Sequence, residues 1–215
     1  MRKIIIGTPR GGTSFVTKWY ANQFPECTAL SEHRLFEHFE PDYADWPELG
    51  DVEGINKETL KRINELPENY IFKMHSGPDM SKHIWDFVYK KPVVLVKRKD
   101  YLGQFISYGI GWTTFKWYQY SDWKMLLAGL KEGQTFTYKK EWFDNLVWRI
   151  EDLKEREKYL NIERIVLFEH LPFFPNNGEL MIRQNPRSND EKLKLIENVN
   201  EFLGWFKDWV GKWNQ

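Results

Sequence analysis

Lys3-Ile4-Ile5-Ile6-Gly7-Thr8-Pro9-Arg10-Gly11-Gly12-Thr13-Ser14-Phe15 is the stretch on which the fold turns. A short β-branched run, Lys3 to Ile6, stops at a glycine. After the loop, Thr13 to Phe24 places Phe15, Val16, Trp19 and Tyr20 on one helical face, with Pro25 just beyond its end. Gly7, four intervening residues, Gly12 and then two hydroxyl residues make the spacing of a phosphate-binding loop between a strand and a helix. The chemistry follows from geometry. Gly11 and Gly12 let backbone approach an anion, the N–H groups of the helix start point at it, and Thr13 and Ser14 add hydroxyl donors. Where a nucleoside triphosphatase keeps its lysine this chain has Thr13, and the positive charge stands inside the loop as Arg10. The bland alternative is a glycine-rich turn that binds nothing.

Working outward, further short β-rich runs alternate with helical patterns, as in βα units around a mostly parallel sheet. The strand candidates are Thr28 to Leu30, Tyr70 to Met74, Val93 to Val96 and Arg164 to Phe168. Helices are expected over Lys57 to Leu66, Ser81 to Tyr89 and Trp142 to Leu160, the last with Leu146, Val147, Ile150 and Leu153 as its apolar stripe. Asn189 to Trp213 reads as one C-terminal helix opened by an Asn or Asp cap. Glu40 to Gly54 reads as an excursion loop, and no repeat or linker is visible.

The chain has 215 residues and balances 31 Lys and Arg against 31 Asp and Glu, which argues against a dedicated nucleic-acid or membrane-surface binder. One domain over residues 1–215 is the expectation. Cys27 is the single cysteine, so no intrachain disulfide forms and a reducing cytoplasm fits. Met1 to Ile6 lacks the apolar length of an export signal, and Val93 to Val96, flanked by lysines, is far too short to span a bilayer. The 11 Trp, 10 Tyr and 15 Phe either fill cores or stack on sugar faces, with the core the more usual use. His33, His38, His83 and His170 show no metal-ligand spacing, and no metal is expected.

Pro9-Arg10-Gly11-Gly12-Thr13-Ser14-Phe15 resembles the loop that sulfotransferases wrap around the 5′-phosphosulfate of 3′-phosphoadenosine 5′-phosphosulfate (PAPS). Val93 to Val96 followed by Lys97-Arg98-Lys99-Asp100, and then Gln104 and Ser107, resembles the family's strand, Arg and Ser that grip the 3′-phosphate; the spacing is closest to the bacterial trehalose-type and carbohydrate sulfotransferases. The resemblance leaves open whether Arg98 or Lys99 takes that phosphate. Ile71-Phe72-Lys73-Met74-His75 is similar to a stretch in which the Lys touches the transferring group and the His is the base. Leu167-Phe168-Glu169-His170-Leu171 is similar to a late Tyr-Glu-Asp-Leu element. Glu32 stands where carbohydrate sulfotransferases place a catalytic Glu, and Arg183, in a late basic segment, is a further candidate for the 3′-phosphate.

The resemblance implies a three-layer, P-loop-like α/β fold with a central mostly parallel sheet flanked by helices. It implies PAPS as donor and a hydroxyl acceptor on a carbohydrate or other small molecule. Sulfuryl transfer needs cations beside the departing phosphate and a base beside the acceptor. Arg10 and Lys73 are the cations, and Glu32 and His75 are the two base candidates, with Glu32 preferred. A nucleotide-dependent kinase and a non-catalytic module binding anions or sulfated glycans are the rival readings.

Overall fold

The computed structural model describes residues 2–31, 57, 61, 63–77, 82–114, 134–170, 175–176, 179–180 and 188–213. Along them run β1 (Arg2–Gly7), α1 (Thr13–Gln23), β2 (Thr28–Ser31), β3 (Tyr70–His75), α2 (Lys82–Val88), β4 (Pro92–Lys97), α3 (Tyr101–Thr114), α4 (Lys140–Glu157), β5 (Asn161–Leu167), β6 (Pro175–Asn176), β7 (Glu179–Leu180), α5 (Asn189–Leu193) and α6 (Val199–Trp213). The chain divides into two compact units: Met1–Lys97 with Arg149–Phe168, and Arg98–Trp148 with Glu169–Gln215.

The first unit is an α/β fold around a five-stranded sheet of order β2-β3-β1-β4-β5, in which every neighbouring pair is parallel. Its central strand explains the opening sequence. Ile4, Ile5 and Ile6 are all 1% exposed or less, so both faces of β1 are covered, and an uninterrupted apolar run is what a strand buried on both faces requires. Successive side chains alternate between faces. Ile4, Ile6, Phe72, Met74, Val93 and Leu95 share one core with Ile84, Trp85 and Val88 of α2 and Leu153 of α4. Lys73 and His75 turn the other way and reach α1. The sheet is therefore the middle of three layers.

β5 is one of the sheet's two edge strands, and it starts at Asn161 rather than at Arg164 as the apolar content suggested. An edge strand carries outward polar residues that blur its pattern: Glu163 and Arg164 are exposed, and even Ile165 is 50% exposed.

The second unit has an aromatic core. Phe105 of α3 stacks on Phe143 of α4 at 4.6 Å, Tyr138 lies 4.6 Å from Phe202 of α6, and Trp209 packs against Phe105 at 5.2 Å. These rings fill a core, which is the usual role of large aromatics. The buried Tyr138 hydroxyl donates to the Phe105 carbonyl at 2.8 Å. Burial, and next the neighbouring Tyr108, hold its phenol well above the ordinary tyrosine range.

The single C-terminal helix expected over Asn189 to Trp213 is two helices. Ile196 lies between them and forms a parallel bridge with Phe136: Phe136 N–H donates to Leu195 O at 2.8 Å, and Glu197 N–H to Phe136 O at 3.0 Å. Those long-range bonds replace the local ones a continuous helix would make. The cap is Ser188, one residue ahead of the expected Asn or Asp. Its hydroxyl accepts from Glu191 N–H, and the Glu191 carboxylate takes the Ser188 N–H, a reciprocal capping box. No helix among the described residues is long and apolar enough to cross a membrane.

Candidate functional site

In the first unit the loop between β1 and α1 is shaped by backbone that few residues adopt. Arg10 and Gly12 both have positive φ, 58° and 98°. Gly11 N–H donates to Thr8 O at 2.9 Å, and a Cβ on Gly11 would come within 2.8 Å of that same oxygen, so the turn closes only over glycine. Arg10 has no such exemption. A non-glycine residue held left-handed at a loop tip is strained by about 1–2 kcal/mol, and such strain clusters at ligand sites. Gly12 is also the N-cap of α1, and no side chain caps the dipole end of the helix.

The ring of Phe168, just after β5, lies over Gly12: a Cβ there would sit 2.2 Å from Phe168 Cδ2. Phe15 meets the same ring edge-on at 6.4 Å. Pro9, Arg10, Gly11, Gly12, Thr13, Ser14 and Phe15 thus make one continuous loop and helix start.

Two side chains of β3 reach this helix start. The β1 and β3 register sets Ile5 beside Lys73 and Gly7 beside His75, so the two polar residues sit at the C-terminal end of the sheet. Lys73 is 3% exposed and its ammonium donates to Ser14 Oγ at 3.2 Å. His75 Nε2 lies 2.8 Å from Thr13 Oγ1. Ser76, fully buried, donates its N–H to Gly7 O at 2.9 Å and its hydroxyl to Arg149 O at 2.8 Å, which ties the end of β3 to β1 and to α4. In a metal-dependent phosphate loop the hydroxyl at the Ser14 position binds Mg²⁺. Here that hydroxyl accepts from a buried ammonium.

In the second unit Arg98, Lys99 and Asp100 lead into α3. Asp100 is a hub: its carboxylate accepts from Arg98 Nη2 at 3.2 Å, from Gly103 N–H at 2.9 Å and from Asn189 Nδ2 at 2.9 Å. The Gly103 bond caps α3. Burial pushes the Asp100 carboxyl up, but the Gly103, Asn189 and Arg98 donors outweigh it, and its pKa lies below the ordinary value. Arg98 is largely buried, its side chain 13% exposed, whereas Lys99 is exposed. Ser107 is half-buried on α3, about two helical turns past Asp100 and so on the same face.

Sequence reasoning passed over Gly103 and gave Glu169 and Asn189 no part in this cluster. Gly103 leaves room for the ion pair, since a Cβ there would lie 2.1 Å from Asp100 Oδ2 and 2.9 Å from Arg98 Nη2. Glu169 Oε1 accepts the N–H groups of Lys99 and Asp100 at 2.9 and 3.1 Å, which gives the weak Phe168-Glu169-His170 motif a physical role. Asn189 was taken as a helix cap and instead anchors Asp100. Glu32 and Arg183 lie outside the described residues.

Each unit by itself offers donors that suit an anion. An uncapped helix start, a buried lysine and the left-handed Arg10 gather in the first unit, and Arg98 with a helical serine in the second.

No family model matches the chain, and no curated protein matches it. Among solved structures, it is similar to mouse sulfotransferase SULT7A1 complexed with PAP, with 14% identity and TM-score 0.42 over 78% of this chain and 51% of that one. It thus spans about half the length of that enzyme. It is also similar to shikimate kinase from Bacteroides thetaiotaomicron, with 13% identity and TM-score 0.44, covering 96% of this chain and 98% of that one. Shikimate kinase from Acinetobacter baumannii in complex with shikimate is a further neighbour, with 10% identity and TM-score 0.41, covering 96% and 93%. Identities and TM-scores this low carry no family membership.

Proposed function

We propose that this protein is a sulfotransferase that moves a sulfuryl group from PAPS to a hydroxyl of a carbohydrate or other small molecule. The observation that carries the reading is the buried Lys73 ammonium on Ser14 Oγ. A fixed cation at that hydroxyl supplies the positive charge that a phosphoryl-transfer loop takes from a metal ion, and a lysine there suits a donor handled without one.

PAPS supplies an activated sulfur whose bond to the bridging phosphate oxygen breaks as the acceptor oxygen bonds to sulfur. The loop Pro9 to Phe15 binds the 5′ end through backbone N–H groups, and Arg10 and Lys73 offset charge on the departing phosphate oxygen. Arg98 and Ser107 hold the 3′-phosphate, with Arg98 rather than the exposed Lys99 as principal cation. Glu32 takes the acceptor proton. His75, whose Nε2 faces Thr13 Oγ1, is the second base candidate.

Calorimetric titration with 3′-phosphoadenosine 5′-phosphate (PAP) and with ADP, each with and without Mg²⁺, tests the reading. Metal-independent binding of PAP at least tenfold tighter than ADP, about 1.4 kcal/mol, is expected. Binding that needs Mg²⁺, or no preference for PAP, sinks it in favour of a kinase; no binding of either nucleotide leaves a non-catalytic module.

Glu32→Gln is expected to lower the rate of PAP release with acceptor about 100-fold while PAP affinity stays within twofold. His75→Gln, which keeps a hydrogen-bonding group toward Thr13, is expected to keep the rate within tenfold. A loss after His75→Gln as large as that after Glu32→Gln would hand the base's role to His75.

A further inference from the structure

We infer that the first unit carries a ligand site at the end of the sheet away from the glycine loop, and that this site takes a small organic anion with an apolar body. The inference goes beyond the nucleotide reading and does not depend on it.

The site is a groove of about 570 Å³, a volume usual for small-molecule sites. It lies where the strands begin, at Arg2 of β1 and Tyr70 of β3, which are partners in the parallel register. Gly7 and His75 come five residues later on the same two strands. At about 3.3 Å per residue the groove is therefore roughly 16 Å from the loop. On α2, His83, Asp86 and Phe87 stand at i, i+3 and i+4 and share the face that lines it, and Lys90 and Lys91 follow in the turn. The segment before β3 adds Ile63, Leu66 and Pro67.

The lining has an apolar half and a cationic half. Ile63, Leu66 and Phe87 are half-buried and pack on the core of the unit, and the Phe87 ring lies 6.5 Å from that of Tyr70. Such side chains are anchored and offer a fixed apolar surface. Arg2, Lys90 and Lys91 bring three cations against one carboxylate, Asp86, with His83 counted neutral. Arg2 is oriented by the bond from its Nε to Glu68 O at 3.1 Å. The Lys91 ammonium stands 5.9 Å from the Phe87 centroid, which puts a positive charge beside the aromatic surface.

What sets these cations apart is that they are uncommitted. Lys97 and Lys158 of the same unit are paired with Glu157 and Glu155, whereas none of Arg2, Lys90 and Lys91 is in an ion pair among the described residues. The negative end of α2 does not neutralise them alone, because Tyr89 N–H and Lys91 N–H already donate to Trp85 O and Val88 O at 2.9 and 3.0 Å. An excess of positive charge beside an anchored apolar wall favours a ligand that has both parts. An inorganic anion uses only the cations, and a neutral hydrocarbon only the wall.

Naphthoate, naphthamide and acetate separate the two halves, since the second lacks the charge and the third the rings. In calorimetry on the full chain, naphthoate is expected to bind with one equivalent, and naphthamide and acetate at least tenfold more weakly. Lys90→Gln combined with Lys91→Gln is expected to weaken naphthoate at least tenfold, and Asp86→Asn to tighten it two- to fivefold. Effects of opposite sign are what a charge-reading site requires, and loss of a merely structural contact would not tighten binding. All three side chains lie at the surface, so each variant should melt within a few degrees of the wild type; should the double variant melt lower, Asp86→Asn decides alone. Arg10→Gln is expected to leave naphthoate binding unchanged. Absence of saturable naphthoate binding, equal affinity for naphthamide, or indifference to the α2 substitutions overturns the inference. Loss of naphthoate binding in Arg10→Gln would move the anion to the glycine loop and overturn it as well. The PAP titration is independent of all these outcomes, so the nucleotide reading stands or falls separately.

Discussion

Lys73→Met is expected to lower sulfuryl transfer by about 100- to 1,000-fold, the range seen when one fixed electrostatic group is removed from a reacting centre. The same variant is expected to be as stable as the wild type, or more so. Lys73 is 3% exposed, and an ammonium in such a place carries a desolvation cost that an unbranched apolar side chain of similar length does not. Met also keeps the packing of the aliphatic stem between β3 and α1. Opposite signs for activity and stability mark a group kept for chemistry rather than for folding. The check is a PAP-release assay beside a urea melt, with PAP titration to show that the loop still forms. Transfer within tenfold of the wild type would remove Lys73 from the reacting centre, and with it the observation that carries the sulfotransferase reading.

Gly12→Ala should produce the largest structural effect of any single change in the loop. Two independent costs add. At φ 98° an L side chain is strained by about 1–2 kcal/mol, and the new methyl would sit 2.2 Å from Phe168 Cδ2, an overlap of the kind that costs about 1–3 kcal/mol to relieve. A total near 3 kcal/mol corresponds to a fall in melting temperature of roughly 6–12 °C for a chain of this size. Nucleotide binding should be lost as well, because the displaced backbone belongs to the anion-binding turn. The two costs separate in a double variant. In a Phe168→Ala background the methyl finds space, so the penalty of Gly12→Ala should shrink to the backbone share alone. An equal penalty in both backgrounds would mean that Phe168 does not press on the loop.

The loop, its two hydroxyls and the two β3 side chains were legible because each is a local signal: glycines at fixed spacing, a strand before, a helix after, and a lysine and histidine two apart on one strand. Gly103 and Glu169 were not, since their roles depend on partners far along the chain. Gly103 looks like an ordinary helix-weakening glycine until Asp100 and Arg98 lie against it. Glu169 acts on N–H groups some 70 residues earlier. The break after Leu193 was hidden for the same reason. The 3.6-residue period of Leu193, Ile196 and Val199 continues through it, and only the bridge from Phe136 makes Ile196 extended. The five strands of the main sheet were found and the short β6–β7 pair was not, and the edge strand β5 was placed late because its outward residues are charged.

The central place of β1 also has a consequence in time. Its two neighbours, β3 and β4, begin at Tyr70 and Pro92, so the strand is synthesised well ahead of both. At about 5–20 residues per second, Ile4-Ile5-Ile6 waits roughly 3–13 s for β3 to be made. Through that interval the most water-averse segment of the unit has no sheet to join, and neither β1–β3 nor β1–β4 can be made from a nearby hairpin. The nascent chain therefore needs a holding chaperone most while β1 waits for β3, and a slowly translated message lengthens the exposure.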